Sequence, residues 1–174
     1  MRPVQLTKEE IIASFPGLSS DPYFNIKSDC TPNYNCIAWA AIRDDINWWP
    51  DPRLPFIDGV EWPFNLPVQN SVQNFVDLYG KLGYNVCPTW RFEPGLQKIA
   101  IYKNLSESVT HAARQNSNGI WTSKLGPQHD ILHLNPLTLE GREYGQVSTI
   151  MCRDNSSYTL KGIKKLVEVH KPIS

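Results

Sequence analysis

A four-residue turn, Asn116-Ser117-Asn118-Gly119, constrains the fold of this chain more than any other segment. It lies between two runs, 109–114 and 120–125, that are suited to strands. Asn and Gly supply the positive φ angles that close a hairpin, so the second half of the chain is committed to antiparallel pairing. Further β-rich runs at 84–88, 97–102 and 146–152 offer that hairpin neighbours.

The helical patterns come earlier. Thr7-Lys8-Glu9-Glu10 is a capping box ahead of Ile11, Ile12 and Phe15, and Pro16-Gly17 stops that helix. Asn35 caps a helix predicted over 35–45, with Ile37, Ala40 and Ala41 on one face. Val72, Phe75, Val76 and Tyr79 stripe a third helix over 71–79, with Gly83 as its C-cap. Residues 158–170 read as a final short helix or strand. Helices followed by strands predict an α+β fold, N-terminal helices packed on an antiparallel sheet, as a single domain over 1–174.

Composition narrows the function. The chain of 174 residues carries 17 basic and 17 acidic side chains. Nucleic-acid binding draws on a Lys/Arg excess, and none is present, so no nucleic-acid partner is expected. No apolar run spans a bilayer and no apolar signal segment is visible, which predicts synthesis in the cytoplasm, no membrane association, and at most a signal-independent export. Six Trp and fourteen Pro are present, many of them in a long loop at about 46–70. Its aromatics predict an ordered loop rather than a disordered one.

The chemistry centres on Cys36. The run Asn33-Tyr34-Asn35-Cys36-Ile37-Ala38-Trp39 puts a thiol where a polar loop meets an apolar helix. Helix-terminal N–H groups and a nearby imidazole lower a thiol pKa, so a predominant thiolate is expected if the site is active. His111, between small residues at a strand start, is the expected base. The other reading of Cys36 is a small buried apolar residue, and that of His111 is a surface histidine. A third residue would orient the imidazole: Asp130 first, because it carries charge, with Ser123 and His133 as alternatives. A three-residue turn puts Ser123 on the same sheet face as His111. Asn35 serves as helix cap, with a share in an oxyanion site as the second reading. A Cys30–Cys36 disulfide would consume the nucleophile. His129 and His133, four apart, could share a helical face, but no HExxH pattern accompanies them, so neither a metal nor another cofactor is expected.

These motifs resemble the papain-like cysteine peptidases in their compact NlpC/P60 form. The resemblance rests on Asn35-Cys36-Ile37-Ala38-Trp39-Ala40, then Thr110-His111-Ala112-Ala113, then Trp121-Thr122-Ser123-Lys124-Leu125-Gly126. The chain is also similar, from Asn33 to Arg153, to an uncharacterised bacterial domain with these segments and a late Tyr144-Gly145. The resemblance implies a papain-like fold and a hydrolase that cleaves amide bonds in a peptide or peptidoglycan-like substrate. The alternative is a non-catalytic module on the same scaffold, binding a protein partner through exposed Trp48, Trp49 and Trp62.

Overall fold

The computed structural model describes residues 4–155. The element expected at 158–170 lies outside the described residues. Among the described residues the fold is mixed α and β. Its helices are α1 (Lys8–Ser14), α2 (Cys36–Ala40) and α3 (Val72–Gly80). The strands are β1 (Asn25–Ile26), β2 (Asn47–Trp48), β3 (Val60–Glu61), β4 (Asn85–Cys87), β5 (Leu96–Lys103), β6 (Val109–Gln115), β7 (Trp121–Lys124), β8 (Asp130–His133) and β9 (Gln146–Asp154). Seven of the strands form one sheet in the order β1-β8-β7-β6-β5-β9-β4, and β2 and β3 form a small parallel pair. Every pairing in the large sheet is antiparallel.

Local chemistry explains the helix starts. Thr7 and Glu10 exchange the two capping-box bonds that open α1. Ser71 caps α3 by accepting from the Asn74 amide at 3.2 Å. The second helix is shorter than its sequence suggests. Its apolar stripe predicts a run to residue 45, but the helix stops at Ala40. Ile42 takes a left-handed φ of 62°. The Ile42 amide bonds the Trp39 carbonyl and the Arg43 amide bonds the Ala38 carbonyl, both at 2.9 Å. This is the 6→1 and 5→2 closure of a Schellman motif, usually made by glycine. A β-branched residue there pays a steric cost of about 1–2 kcal/mol, offset by packing against the core around α2.

Because successive strand residues face opposite sides, the sheet buries both faces. One face carries Ile99, Ile101, Ala112 and Met151 and packs on α2 and α3. The other carries Ala100, Tyr102, Ala113, Trp121, Ile131 and Ile150 and packs on α1 and the 3-10 turns Pro16–Ser20 and Pro136–Leu139.

The loop after α2 is ordered by its aromatics, and its Trp rings turn inward. Trp48 is fully buried and its indole donates to Glu61 at 2.9 Å. Trp62 is 9% exposed and donates to the Pro67 carbonyl at 2.9 Å. Trp49 and Trp62 both pack on the Phe75 ring. The expected patch of exposed Trp is therefore corrected: burying these large rings is worth more than exposing them.

One glycine is needed for the second face. Gly145 has a φ of +74°, and a Cβ there would lie 2.1 Å from the Lys103 carbonyl oxygen. Gly145→Ala is expected to destabilise the protein by about 3 kcal/mol or more, because strain and a backbone collision add. Urea unfolding of the two proteins checks this, and an unchanged midpoint would remove Gly145 from the account.

Candidate active site

Strands β6, β7 and β8 bring three of the predicted residues into one buried chain. His111 Nε2 lies 2.9 Å from Ser123 Oγ, and Ser123 Oγ lies 2.8 Å from His133 Nε2. His133 Nδ1 lies 2.9 Å from the Asn135 carbonyl oxygen. All three side chains are fully buried.

Proton positions follow from this geometry. Burial pushes the His133 imidazole down to about 4, and the Asn135 carbonyl only partly opposes it. Burial, with His133 adding to it, holds His111 well below the ordinary histidine value. Both rings are thus neutral at pH 7, each with one N–H. A carbonyl only accepts, so His133 carries its proton on Nδ1 and its Nε2 accepts from the Ser123 hydroxyl. The Ser123 oxygen in turn accepts from His111 Nε2–H. The hydrogen-bond network therefore assigns the lone pair of His111 to Nδ1. That atom is buried and has no hydrogen-bond partner. Tyr144 stacks on the imidazole at 4.0 Å between centroids and 4° between planes, and Tyr102 meets its edge at 5.1 Å. The ring is fixed in plane and in rotation.

Cys36 is the first residue of α2 and is 7% exposed. Its sulfur faces the backbone amides of Ala112, Ile37 and Cys36. The Ala112 amide belongs to the peptide that joins it to His111, so the sulfur sits beside the base's own backbone. No hydrogen bond joins Cys36 to His111: Nε2 goes to Ser123 and Nδ1 is unpartnered. The side chains leave β6 on opposite faces, Ala112 toward Cys36 and His111 toward Tyr102. β6 and β7 pair only near their turn. Their ladder holds only Arg114 to Thr122 and Gln115 to Trp121, although β7 continues to Lys124.

The expectation of a predominant thiolate is corrected for this resting geometry. Burial pushes the Cys36 thiol up to about 11, outweighing the three amides and the Lys124 charge that favour the anion. A helix of five residues also sums few peptide dipoles. All four cysteines lie outside any disulfide, so Cys30 and Cys36 are not bonded to each other.

Asp130, expected first as the orienting group, is not on the imidazole. It stands opposite Lys124 in the β7–β8 ladder, one register position from Ser123 opposite Ile131, so its side chain leaves on the other face. Its carboxylate accepts from the Tyr34 hydroxyl at 2.7 Å. Burial raises its pKa above the usual carboxylate value. Lys124, wholly buried, donates to the carbonyls of Thr31, Gly126 and Gln128 at 2.8, 2.6 and 2.6 Å and lies over the Tyr34 ring. These groups tie the loop before α2 to the sheet.

Asn35 is committed to backbone. Its Oδ1 accepts from the Ala38 and Trp48 amides at 3.1 Å, and its Nδ2 donates to the Trp48 carbonyl at 2.8 Å. The capping reading accounts for it, and the oxyanion reading has no support in this geometry. His129 is not on a helix with His133: it precedes β8, and its ring lies between the Ser28 and Leu6 carbonyls at 2.6 and 3.2 Å.

Tyr144 and Tyr102 were missed as site residues. Tyr144-Gly145 is a sequence signal for the first, since a glycine that only glycine can satisfy often fixes its neighbour. A cleft of about 200 Å³ lies on that side, lined by Leu6, Ile11, Phe15, Leu125, Gly126 and Tyr144 among others. The ring that covers His111 is therefore also a wall of the cleft. No helix among the described residues is long and apolar enough to cross a membrane.

A family model described as a domain of unknown function, DUF7689, matches residues 25–152, a span that includes Cys36, His111, Ser123, His133 and Tyr144. Comparison with curated proteins and with solved structures finds no match.

Proposed function

Given that the chain belongs to the DUF7689 family, we propose from the chemistry of the site that it is a cysteine hydrolase of papain-like, NlpC/P60-like type, cleaving amide bonds in a peptide or peptidoglycan-like substrate. The observation that carries this reading is the bare, buried Nδ1 of His111, held in one tautomer by Ser123 and His133 beside the peptide against which the Cys36 sulfur rests. An unsatisfied acceptor in a core is costly and uncommon, and catalytic bases are one of its established uses.

In this mechanism the Cys36 thiol gives its proton to His111 Nδ1, and the sulfur attacks the substrate carbonyl. The oxyanion forms near the amides that now face the sulfur. As the tetrahedral adduct collapses, the imidazolium returns the proton to the leaving amine and a thioester remains. Water, deprotonated by Nδ1, then releases the acid and restores the thiol. Ser123 and His133 keep Nε2–H donated and Nδ1 available throughout. The resting site is closed and its two reacting atoms are not yet hydrogen-bonded. Because the two side chains lie on opposite faces of β6, turnover requires substrate binding to rearrange the start of α2 or the β6 backbone so that Sγ and Nδ1 meet, a larger change than the tightening of an existing contact.

The reading separates Ser123 from Asp130. Ser123→Ala is expected to lower kcat at least about tenfold, since Nε2–H loses its acceptor. Asp130→Asn keeps an acceptor for Tyr34 and is expected to change kcat less than about threefold. Turnover of peptidoglycan fragments and a peptide library by both variants checks this. The reverse ranking would remove the Ser123–His133 chain from the mechanism.

A further inference from the structure

A second pair of sulfurs lies at the β4 edge of the sheet, apart from the His111 chain. Asn85 stands opposite Cys152 and Cys87 opposite Ile150, so Cys87 and Cys152 share one face of neighbouring antiparallel strands on a diagonal. Each thiol is therefore a near neighbour of the other, and the Cys152 sulfur is among the groups that raise the Cys87 pKa. Both cysteines are half-buried, within reach of a small reagent. Lys98 stands directly opposite Cys152 on β5. Its side chain is wholly buried, and its ammonium donates to the Thr89 carbonyl at 2.8 Å and to Glu93 at 2.6 Å. The Cys87 thiol points to that same Thr89 carbonyl at 3.8 Å. A fixed buried cation beside two adjacent sulfurs favours the anionic sulfur that thiol–disulfide exchange requires.

We propose that Cys87 and Cys152 form a reversible disulfide, with a small-molecule disulfide of the glutathione class as oxidant. The Cys152 thiolate attacks one sulfur of that disulfide, and one glutathione leaves as thiolate. Cys87 then gives up its proton and attacks the Cys152–glutathione bond, and the second glutathione leaves. Two protein thiols are oxidised and one disulfide is reduced to two thiols, with their protons taken up by the two glutathione thiolates. Burial, followed by the neighbouring sulfur, pushes the Cys87 thiol up to about 11, so Cys87 keeps its proton in the reduced pair and serves as the second, resolving thiol. The edge strand β4 has three residues and an exposed Val86, so it can make the small approach that bonding needs. The new bond ties this edge to β9 across a long loop of chain.

The test is equilibration of the folded protein in glutathione buffers of graded redox ratio, followed by acid quench and peptide mapping. The expected result is one crosslinked peptide joining Cys87 and Cys152, reversed by dithiothreitol. Its formation is expected to raise Tm by on the order of 5–10 °C. Cys87→Ser is expected to accumulate a glutathione adduct on Cys152 instead. A crosslink that appears only in urea, a pairing with Cys30 or Cys36, or a stable adduct on the unsubstituted protein without a crosslink would overturn the proposal.

Discussion

Cys36→Ala is expected to abolish amide cleavage, with kcat falling by about 10⁴-fold or more and the fold kept. Losses of that size are usual when the nucleophile of a nucleophile–base unit is removed, because the remaining groups cannot substitute for it. The side chain is small, and its site is lined by Ile37, Ala38 and Ala112 of one apolar cluster, so alanine leaves little cavity. Equal unfolding midpoints for the two proteins would show that the lost turnover is chemical. His111→Ala should cost as much, since thiol and base act as one unit. Iodoacetamide adds a readout free of any substrate. Without ligand, alkylation of Cys36 should be slow at neutral pH and rise toward pH 11, following the raised thiol. A substrate or product that assembles the site should accelerate it near pH 7. If Cys36→Ala retains full turnover, the hydrolase reading is wrong. If no amide is cleaved and no ligand accelerates labelling, Cys36 is a buried apolar residue and nothing more.

Acid is expected to unfold this protein through the same histidines. The sign follows from proton binding. His133 titrates near 4 when folded, against an ordinary value of 6.5. Between those values the unfolded chain holds the proton and the folded chain does not, so stability falls as pH falls. The contribution is fully present above about 6.5, declines through the interval and is lost by about 4. At about 1.4 kcal/mol per pH unit this is on the order of 3 kcal/mol. His111, also held well below its ordinary value, adds in the same direction. Urea midpoints measured from pH 7.5 to 4 should drop steeply in the native protein. His133→Gln, which can accept from Ser123 without titrating, should flatten that drop while losing some stability at neutral pH. A native profile level between pH 6.5 and 4.5 would mean that the chain is hydrated or already protonated, and the tautomer assignment would fall with it.

Both expectations depend on features that differ in how legible they were. The capping box of Thr7 and Glu10, the stripe of α3 and the turn at Asn116–Gly119 are local. Each is decided by residues within a few positions, so α1, α3 and the β6–β7 hairpin could be read directly. The Ser123 alternative was also legible, because turn length sets which residues of a hairpin share a face. The third-residue ranking failed at Asp130 because it rested on charge alone, with no register for β8, the strand that carries it. Its pairing with β7 runs through Ile131 and Leu132, and a one-residue offset on a strand sends a side chain to the opposite face. The length of α2 failed for a related reason. Its stripe permits a longer helix, and the stop comes from a left-handed Ile42 that only surrounding packing makes tolerable.

By itself the sequence determined the three helix starts, the hairpin and the longer strands of the second half, and the presence of a cysteine at a helix start with a histidine later on a strand. These follow from periodicity, capping and turn chemistry, which act over a few residues. Tertiary structure alone decided that His111 bonds Ser123, which in turn bonds His133, rather than Asp130, that the His111 Nδ1 is left bare, and that the Trp rings turn inward. It also decided that the thiol rests protonated, because desolvation depends on everything packed around the sulfur and no local pattern encodes it.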